Sequence, residues 1–511
     1  MTATATHNES GAGLRPYKAL ESRFHRLAAL NEAAGMLHWD MAAMMPPGGA
    51  EARAEQLAQM RLVCHEILAD PALGGLLGEA ESRREELDPW AVANLHEMRR
   101  QWIHATALEP PLVEALSRAA SRCEGVWREA RPAADFAKVV PALGDLLALV
   151  REAAAAKAAR LGCGLYEALL DEFEPGGKVA AIDALFDDLA TFLPALREKA
   201  LAAQARRPAP LNARGPFPTA QQMALGEKLM ATVGFDFHHG RLDTSLHPFC
   251  GGTPDDVRIT TRYDESDFAS ALMGVLHETG HALYERGLPA PWRYQPVGQA
   301  RGMGIHESQS LLMEMQACRS KPFLTYLAPL LVEAFGHQDP AFTPENLLAL
   351  YWRVKPGFIR VEADEVTYPS HVILRYRLER AMIEGRMEVA DLPMAWNEGM
   401  VELLGIRPPS DREGCLQDIH WYDGAFGYFP TYTLGAMNAA QLFDAAGRAD
   451  PAIPEELGRG DFKPLLGWLR TNVHRLGSSQ TAAEIMTQAT GRPLDAAVFK
   501  RHLERRYLGQ G

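Results

Sequence analysis

One stretch constrains this chain more than any other: a period-two run that gives way at once to helical periodicity. In Asp256-Val257-Arg258-Ile259-Thr260-Thr261-Arg262-Tyr263, the residues Val257, Ile259, Thr261 and Tyr263 alternate with polar neighbours. Period two with β-branched side chains predicts a strand with one buried face. From Phe268 the period changes. Phe268, Ala271, Leu272, Val275, Thr279, Ala282 and Leu283 form one helical stripe, and Gly287 and Pro289 supply a stop signal. Most other segments repeat the helical pattern. Tyr17, Leu20, Phe24, Leu27, Ala34 and Leu37 mark the first helix. Similar patterns run through about 50–70, 90–130, 140–160 and 180–205, then about 340–400 and 460–508. The expected fold is mainly α, with a small β-sheet next to the helix that starts near Phe268.

The Pro-rich stretch from Arg207-Pro208-Ala209-Pro210 to Gly215-Pro216-Phe217-Pro218 breaks this pattern, because proline lacks an amide hydrogen and clashes with the preceding turn. It predicts four parts: a flexible N-terminal tail over 1–14, a helical N-terminal half over 15–206, a linker or loop over 207–219, and a catalytic half over 220–511. With 47% apolar and 23% charged residues the chain is globular in composition. Its 52 Lys and Arg against 65 Asp and Glu give a net charge of −13, which argues against a nucleic-acid partner. The six cysteines form no CxxC pair and no disulfide framework, as expected in a reducing compartment. The N-terminal segment lacks the apolar core of a signal peptide, and no apolar run is long enough to cross a membrane. A cytoplasmic location with no membrane partner is expected. Arg459-Gly460-Asp461 reads as a turn, His238-His239 lacks partners at ligand spacing, and Met41, Met44 and Met45 read as packing residues.

Chemistry enters with His277-Glu278-Thr279-Gly280-His281, an HExxH signature. Histidines four apart on a helix lie one turn above each other, so both imidazoles can reach one metal ion. Glu278 projects beside them, where it can take a proton from a water the metal activates. Two histidines leave the metal short of a ligand, and no third histidine follows at metzincin spacing. A carboxylate on a later helix is the expected third ligand. Glu307, in Gly304-Ile305-His306-Glu307-Ser308-Gln309-Ser310, is the first candidate, heading an apolar helix of Leu311, Leu312 and Met315. Glu314 is a rival, and a bare dipole-complementing role for Glu307 stays open. His306 points elsewhere and suits a supporting or substrate-facing role.

Beyond this signature the chain resembles the carboxypeptidase Taq family of zinc metallocarboxypeptidases. The ordered motifs are His247-Pro248-Phe249, Asp256-Val-Arg258-Ile-Thr260, His277-Glu278-Thr-Gly-His281 and His306-Glu307-Ser308-Gln309. Ile359-Arg360-Val-Glu-Ala363-Asp364 and Gly414-Cys-Leu-Gln417-Asp418-Ile-His420-Trp421 follow. Flanking matches include Trp39-Asp40, Met45-Pro46, Tyr166 through Pro175-Gly176, and Gly427-Tyr428-Phe429-Pro430. The resemblance spans about residues 15–505. It implies a large helical body with a deep substrate groove, one wall of it from the N-terminal half. It implies release of C-terminal amino acids from peptides with broad specificity, by a homodimer. Its zinc ligands fall on His277, His281 and Glu307, and its catalytic glutamate on Glu278. Cobalt accepts the same donors and can substitute. Where many members carry Arg after the Glu-Ser-Gln-Ser run, this chain has Leu311. The alternative activity is a zinc oligopeptidase or dipeptidyl carboxypeptidase.

Peptide hydrolysis also needs a donor for the oxyanion. His420, Tyr428, Tyr368 and His371 are candidates, with His420 and Tyr428 first because they lie in family-like motifs. An exopeptidase must recognise a free carboxylate, a task suited to the guanidinium fork. Arg360 leads, with a buried ion pair to Glu362 or Asp364 as the competing reading. Arg258 is second, unless it pairs with Asp256, and His247 is a possible helper.

Overall fold

The computed structural model describes residues 14–509, so nearly all of the tail expected over 1–14 lies outside the described residues. Regular structure among the described residues is helical apart from three short strands. The chain forms two compact units, each built from separated segments. The first comprises the residues up to Thr106, Pro216–Arg301 and Phe462–Ile485; the second comprises Ala107–Gly215, Gly302–Asp461 and the residues from Met486. Residues 205–218 hold neither helix nor strand, and the chain passes from one unit to the other between Gly215 and Pro216.

In the first unit the opening helix, Arg15–Ala43, buries Tyr17, Leu20, Phe24 and Leu27. These pack with Leu73, Leu77, Leu95 and Met98 from two later helices. Farther along the helix the outcome differs from the expectation of packing: Met41 is 41% and Met44 50% exposed. The sheet has the order β1-β3-β2, with β1 Gly240–Thr244 parallel and β2 Phe249–Thr253 antiparallel to the central β3, Asp256–Thr261. β3 buries Val257, Ile259 and Thr261, as the alternation predicts, and ends two residues before Tyr263. Thr260 is buried as well, because its hydroxyl accepts a 2.8 Å bond from Ser245 Oγ. β1 and β2 are five residues each, and β2 carries two glycines, so neither gives an alternating signal.

The HExxH helix, Phe268–Gly287, lies on this sheet. Asp267 caps it by accepting from Ala269 N at 3.0 Å and Ser270 N at 3.3 Å. Every residue of the predicted stripe is buried. Val275 and Ala282 share a cluster with Leu242, Val257 and Ile259.

The second unit has one extended core in which Tyr166, Phe186, Tyr376, Trp396 and Phe429 are almost wholly enclosed. The Glu307 helix, Gly302–Leu311, continues as a π-helix over Leu312–Cys318. It packs along the helix Pro430–Ala449. The helix Tyr368–Ile383 carries four buried polar side chains, Ser370, His371, Arg375 and Glu379, on otherwise apolar walls.

Candidate metal centre and carboxylate-facing cluster

The helical stripe fixes which way the HExxH side chains point. With Leu276, Thr279, Gly280 and Leu283 buried, His277 and His281 share a partly open face, and Glu278 is only 9% exposed. The two imidazoles stand edge to face with centroids 5.1 Å apart. Burial, and after it the charge of Glu278, pushes the Cys250 thiol of β2 well up.

Glu307 sits midway along its helix and does not head it: the helix already begins at Gly302. A simple dipole-complementing role therefore loses its ground, since that effect is confined to the first turn. Its carboxylate is tightly enclosed. Ser310 Oγ lies 3.0 Å from Glu307 Oε2 and 2.6 Å from its carbonyl oxygen. A Cβ added at Gly435 would stand 2.7 Å from Glu307 Cγ, so only glycine lets the two helices approach this closely. Below, Glu174 accepts a 2.9 Å bond from Gly304 N, and a Cβ at Gly304 would meet the same carboxylate at 2.6 Å. The rival Glu314 lies on the π-helix and pairs with Arg319.

One ligand atom each from His277, His281 and Glu307 lie within 4.8 Å of one another. Two neutral nitrogens and a carboxylate oxygen, three donors converging from partly dry surroundings, fit a divalent cation of the zinc type.

A second constellation lies wholly in the second unit. Arg360, 5% exposed, donates from Nε (3.2 Å) and Nη2 (2.9 Å) to Asp418 Oδ1, and from Nη1 to the Tyr368 hydroxyl at 3.2 Å. Its guanidinium lies 4.6 Å from the Tyr432 ring centroid. The ion-pair partner is Asp418, and neither Glu362 nor Asp364 takes that place. Asp364 instead accepts from the backbone of Lys355, Val366 and Thr367. Gln417 steadies the segment by accepting from Arg360 N and donating to Phe358 O, both at 2.9 Å.

His420 and Tyr428 flank this cluster, their rings 5.6 Å apart. Burial pulls the His420 imidazole down to about 4, so it is neutral at ordinary pH. Its Nε2 is 3.3 Å from the Tyr432 hydroxyl, and its buried Nδ1 has no partner among the described residues. Burial, then the charges of Tyr432 and Glu307, hold Tyr428 protonated far above the usual phenol range. Burial also drives His371 down to about 3; it is within 3.1 Å of the Gly357 carbonyl and faces inward. Arg258 pairs with Asp256 at 2.7 Å and lies 4.3 Å from the Trp39 ring, the competing reading given for it. His247 is exposed on the turn before β2. Asp418 and Glu174 stand inside recognisable motifs, but their partners lie far off along the chain and leave no local pattern. Ser310 ends the Glu-Ser-Gln-Ser run without a role to mark it, and Gly435 and Arg375 carry no sequence signal at all.

The sequence profile of the carboxypeptidase Taq (M32) metallopeptidase family matches residues 19–507. The chain belongs to this family. It is a metal-dependent carboxypeptidase, and so a peptide hydrolase. Thermostable carboxypeptidase 1 of Thermus thermophilus is 37% identical to it, covering 95% of this chain and 97% of that protein. Metallocarboxypeptidase 1 of Trypanosoma cruzi has a solved structure with a TM-score of 0.95, 42% identity, and coverage of 97% and 99% of the two chains. The M32 carboxypeptidase of Deinococcus radiodurans R1 follows with a TM-score of 0.91, 36% identity, and coverage of 96% and 99%. No helix among the described residues is long and apolar enough to cross a membrane.

Proposed function

We propose that this carboxypeptidase uses Zn²⁺, replaceable by Co²⁺, held by His277, His281 and Glu307, to release single C-terminal residues of broad identity from peptides. The convergence of these three donor atoms within 4.8 Å is the observation that carries the reading. A cation of this type supplies Lewis acidity toward the scissile carbonyl and keeps a coordination position open.

The chain's own residues do the rest. Glu278 takes a proton from the attacking water and returns it to the leaving amine. Its burial beside the two histidines keeps that proton from bulk solvent. His420 and Tyr428 donate hydrogen bonds to the developing oxyanion: burial holds the Tyr428 hydroxyl protonated, and it leaves His420 a neutral imidazole with one ring N–H to donate. Arg360 holds the substrate's terminal carboxylate. Its guanidinium is oriented by Asp418 and Tyr368 and retains N–H groups beyond those bonds. Arg258 is committed to Asp256 and Trp39 and ranks behind it, with His247 as a surface helper. The described cysteines are all free thiols, which supports work in the cytoplasm, and we place the enzyme there as a homodimer.

Matched peptides with free and amidated C-termini test the assignment, with mass spectrometry of the products and metal analysis of the purified protein. Stepwise loss of single residues from the free acid only is expected. Cleavage of the amide, or release of dipeptides, would favour the oligopeptidase or dipeptidyl alternative. Arg360→Ala should lower kcat/KM on the free acid by roughly 10–150-fold, the value of one charge-assisted contact, and leave the amide nearly unaffected. Equal loss on both would make Arg360 a structural residue.

A further inference from the structure

The charge count around Arg360 does not close. Asp418 is the carboxylate paired with it, yet Asp418 serves two guanidiniums. Both bonds from Arg360 fall on Oδ1, while Arg375 Nε takes Oδ2 at 2.5 Å. The side chain of Arg375 is 0% exposed, out of contact with solvent and hence with any substrate. It is anchored by a 2.8 Å bond from Nη1 to the His371 carbonyl and lies 4.5 Å from the Trp396 ring. The Glu307 carboxylate, felt by Tyr368 and Tyr432, is one of the three proposed metal ligands and is set against the cation there; the remaining titratable groups around the two arginines add no charge. Burial keeps His371 and His420 neutral and Tyr368 and Tyr432 protonated. Two cations and one anion leave one positive charge in a nearly dry site.

Such an arrangement is costly for stability alone. A buried guanidinium and carboxylate gain most from a closed fork of two parallel bonds, one to each oxygen. Arg375 prevents that fork by occupying Oδ2. Were Arg375 absent, Asp418 could turn both oxygens to Arg360 and neutralise it, leaving little attraction for an incoming anion. Arg375 thus withholds half of Asp418.

We propose that Arg375 is a positioning residue for substrate selection, which by taking Oδ2 of Asp418 keeps Arg360 from a closed ion pair and reserves one positive charge for the free carboxylate of a peptide C-terminus. The proposal rests on the reading of Arg360 as the carboxylate anchor. It adds that selectivity for a free terminus comes from a charge balance held by a residue no substrate touches.

The test measures Kd for a non-cleavable peptide acid and its amide, and KM and kcat for a cleavable acid, on the full-length metal-loaded protein. Arg375→Met should lower the acid-over-amide preference by about 10-fold or more, as expected for loss of one buried charge. KM for the acid should rise while kcat changes little, a split that loosened packing would not produce. Arg375→Lys keeps the charge and should retain most of the preference. If Arg360→Ala leaves the preference intact, the anchor reading itself fails. If Arg360→Ala abolishes it and Arg375→Met does not alter it, only the role of Arg375 is overturned. Should Arg375→Met fail to fold, as judged by circular dichroism, Arg375→Gln, a neutral side chain of polar character, takes its place with Asp418 intact. A fall of similar size in the acid-over-amide preference supports the proposal, and an unchanged preference overturns it.

Discussion

The two helices that supply the candidate metal ligands are built on opposite principles. The HExxH helix is a locally specified object. It has a side-chain cap at Asp267, an unbroken buried stripe, and ligands placed by the 3.6-residue repeat alone. The Glu307 helix has a first-turn amide, Gly304 N, held by a side chain far back in the chain, Glu174, and begins with glycines at two of its first three positions. It is shaped from outside: Glu174 presses beneath Gly304, and Gly435 lets a neighbouring helix close over Glu307. Ligand geometry can thus be written in a helix's own sequence or imposed on a helix by its surroundings. The first kind tolerates change nearby and fails only at the ligands themselves. The second fails when a distant small residue gains a methyl group.

The sharpest test of the local side is Glu278→Gln. It should keep the metal and lower kcat by about 10²- to 10⁴-fold, the usual worth of a general base, because the amide cannot accept the proton. Metal content and turnover measured on the same preparation check this, and activity above about 1% of wild type would contradict the role. On the imposed side, Gly435→Ala should destabilise the protein by roughly 1–3 kcal/mol through overpacking against Glu307. It should also weaken metal binding, although Gly435 is no ligand. Denaturant midpoints and a chelator competition read the two effects separately, and metal affinity equal to wild type would erase the contrast drawn here. The smallest expected effect is that of Asp267→Ala, a cap loss of about 0.5–2 kcal/mol. Metal affinity should stay within error of wild type, since stripe and sheet hold the helix beyond its first turn. A parallel loss of metal would mean that the HExxH helix is less self-sufficient than its sequence suggests.

The same contrast explains which features are legible in the amino-acid sequence. The strand at Val257, the stripe from Phe268 and the pairing of His277 with His281 depend on residues within a few positions of one another. Periodicity captures them. Spacing alone left Glu307 and Glu314 in competition, because carboxylates are common on helices. What separates the two is tertiary: Glu314 faces Arg319, while Glu307 faces Ser310 and the surface of Gly435. Arg360 teaches a related lesson. Its nearby acids, Glu362 and Asp364, were natural partners by distance along the chain, but Asp418 lies 58 positions away. The backbone around Asp364 had already claimed its carboxylate. Resemblance to known relatives could point to Glu307 and the Asp418 motif. It could not supply Arg375, whose importance is an arithmetic of charges visible only when three side chains meet.

The π-helix over Leu312–Cys318 gives the chain an uneven tolerance for changes in length. Each residue of an α-helix turns the chain by about 100°, so deleting one between His277 and His281 would swing one imidazole away from the other. A π-turn holds one residue more than the α-turn it replaces. Loss of a residue between Leu312 and Cys318 can therefore be absorbed by relaxation to ordinary helix, with Glu307 upstream still facing its neighbours. A scan of single-codon deletions across this region would find its viable variants there, downstream of the ligand.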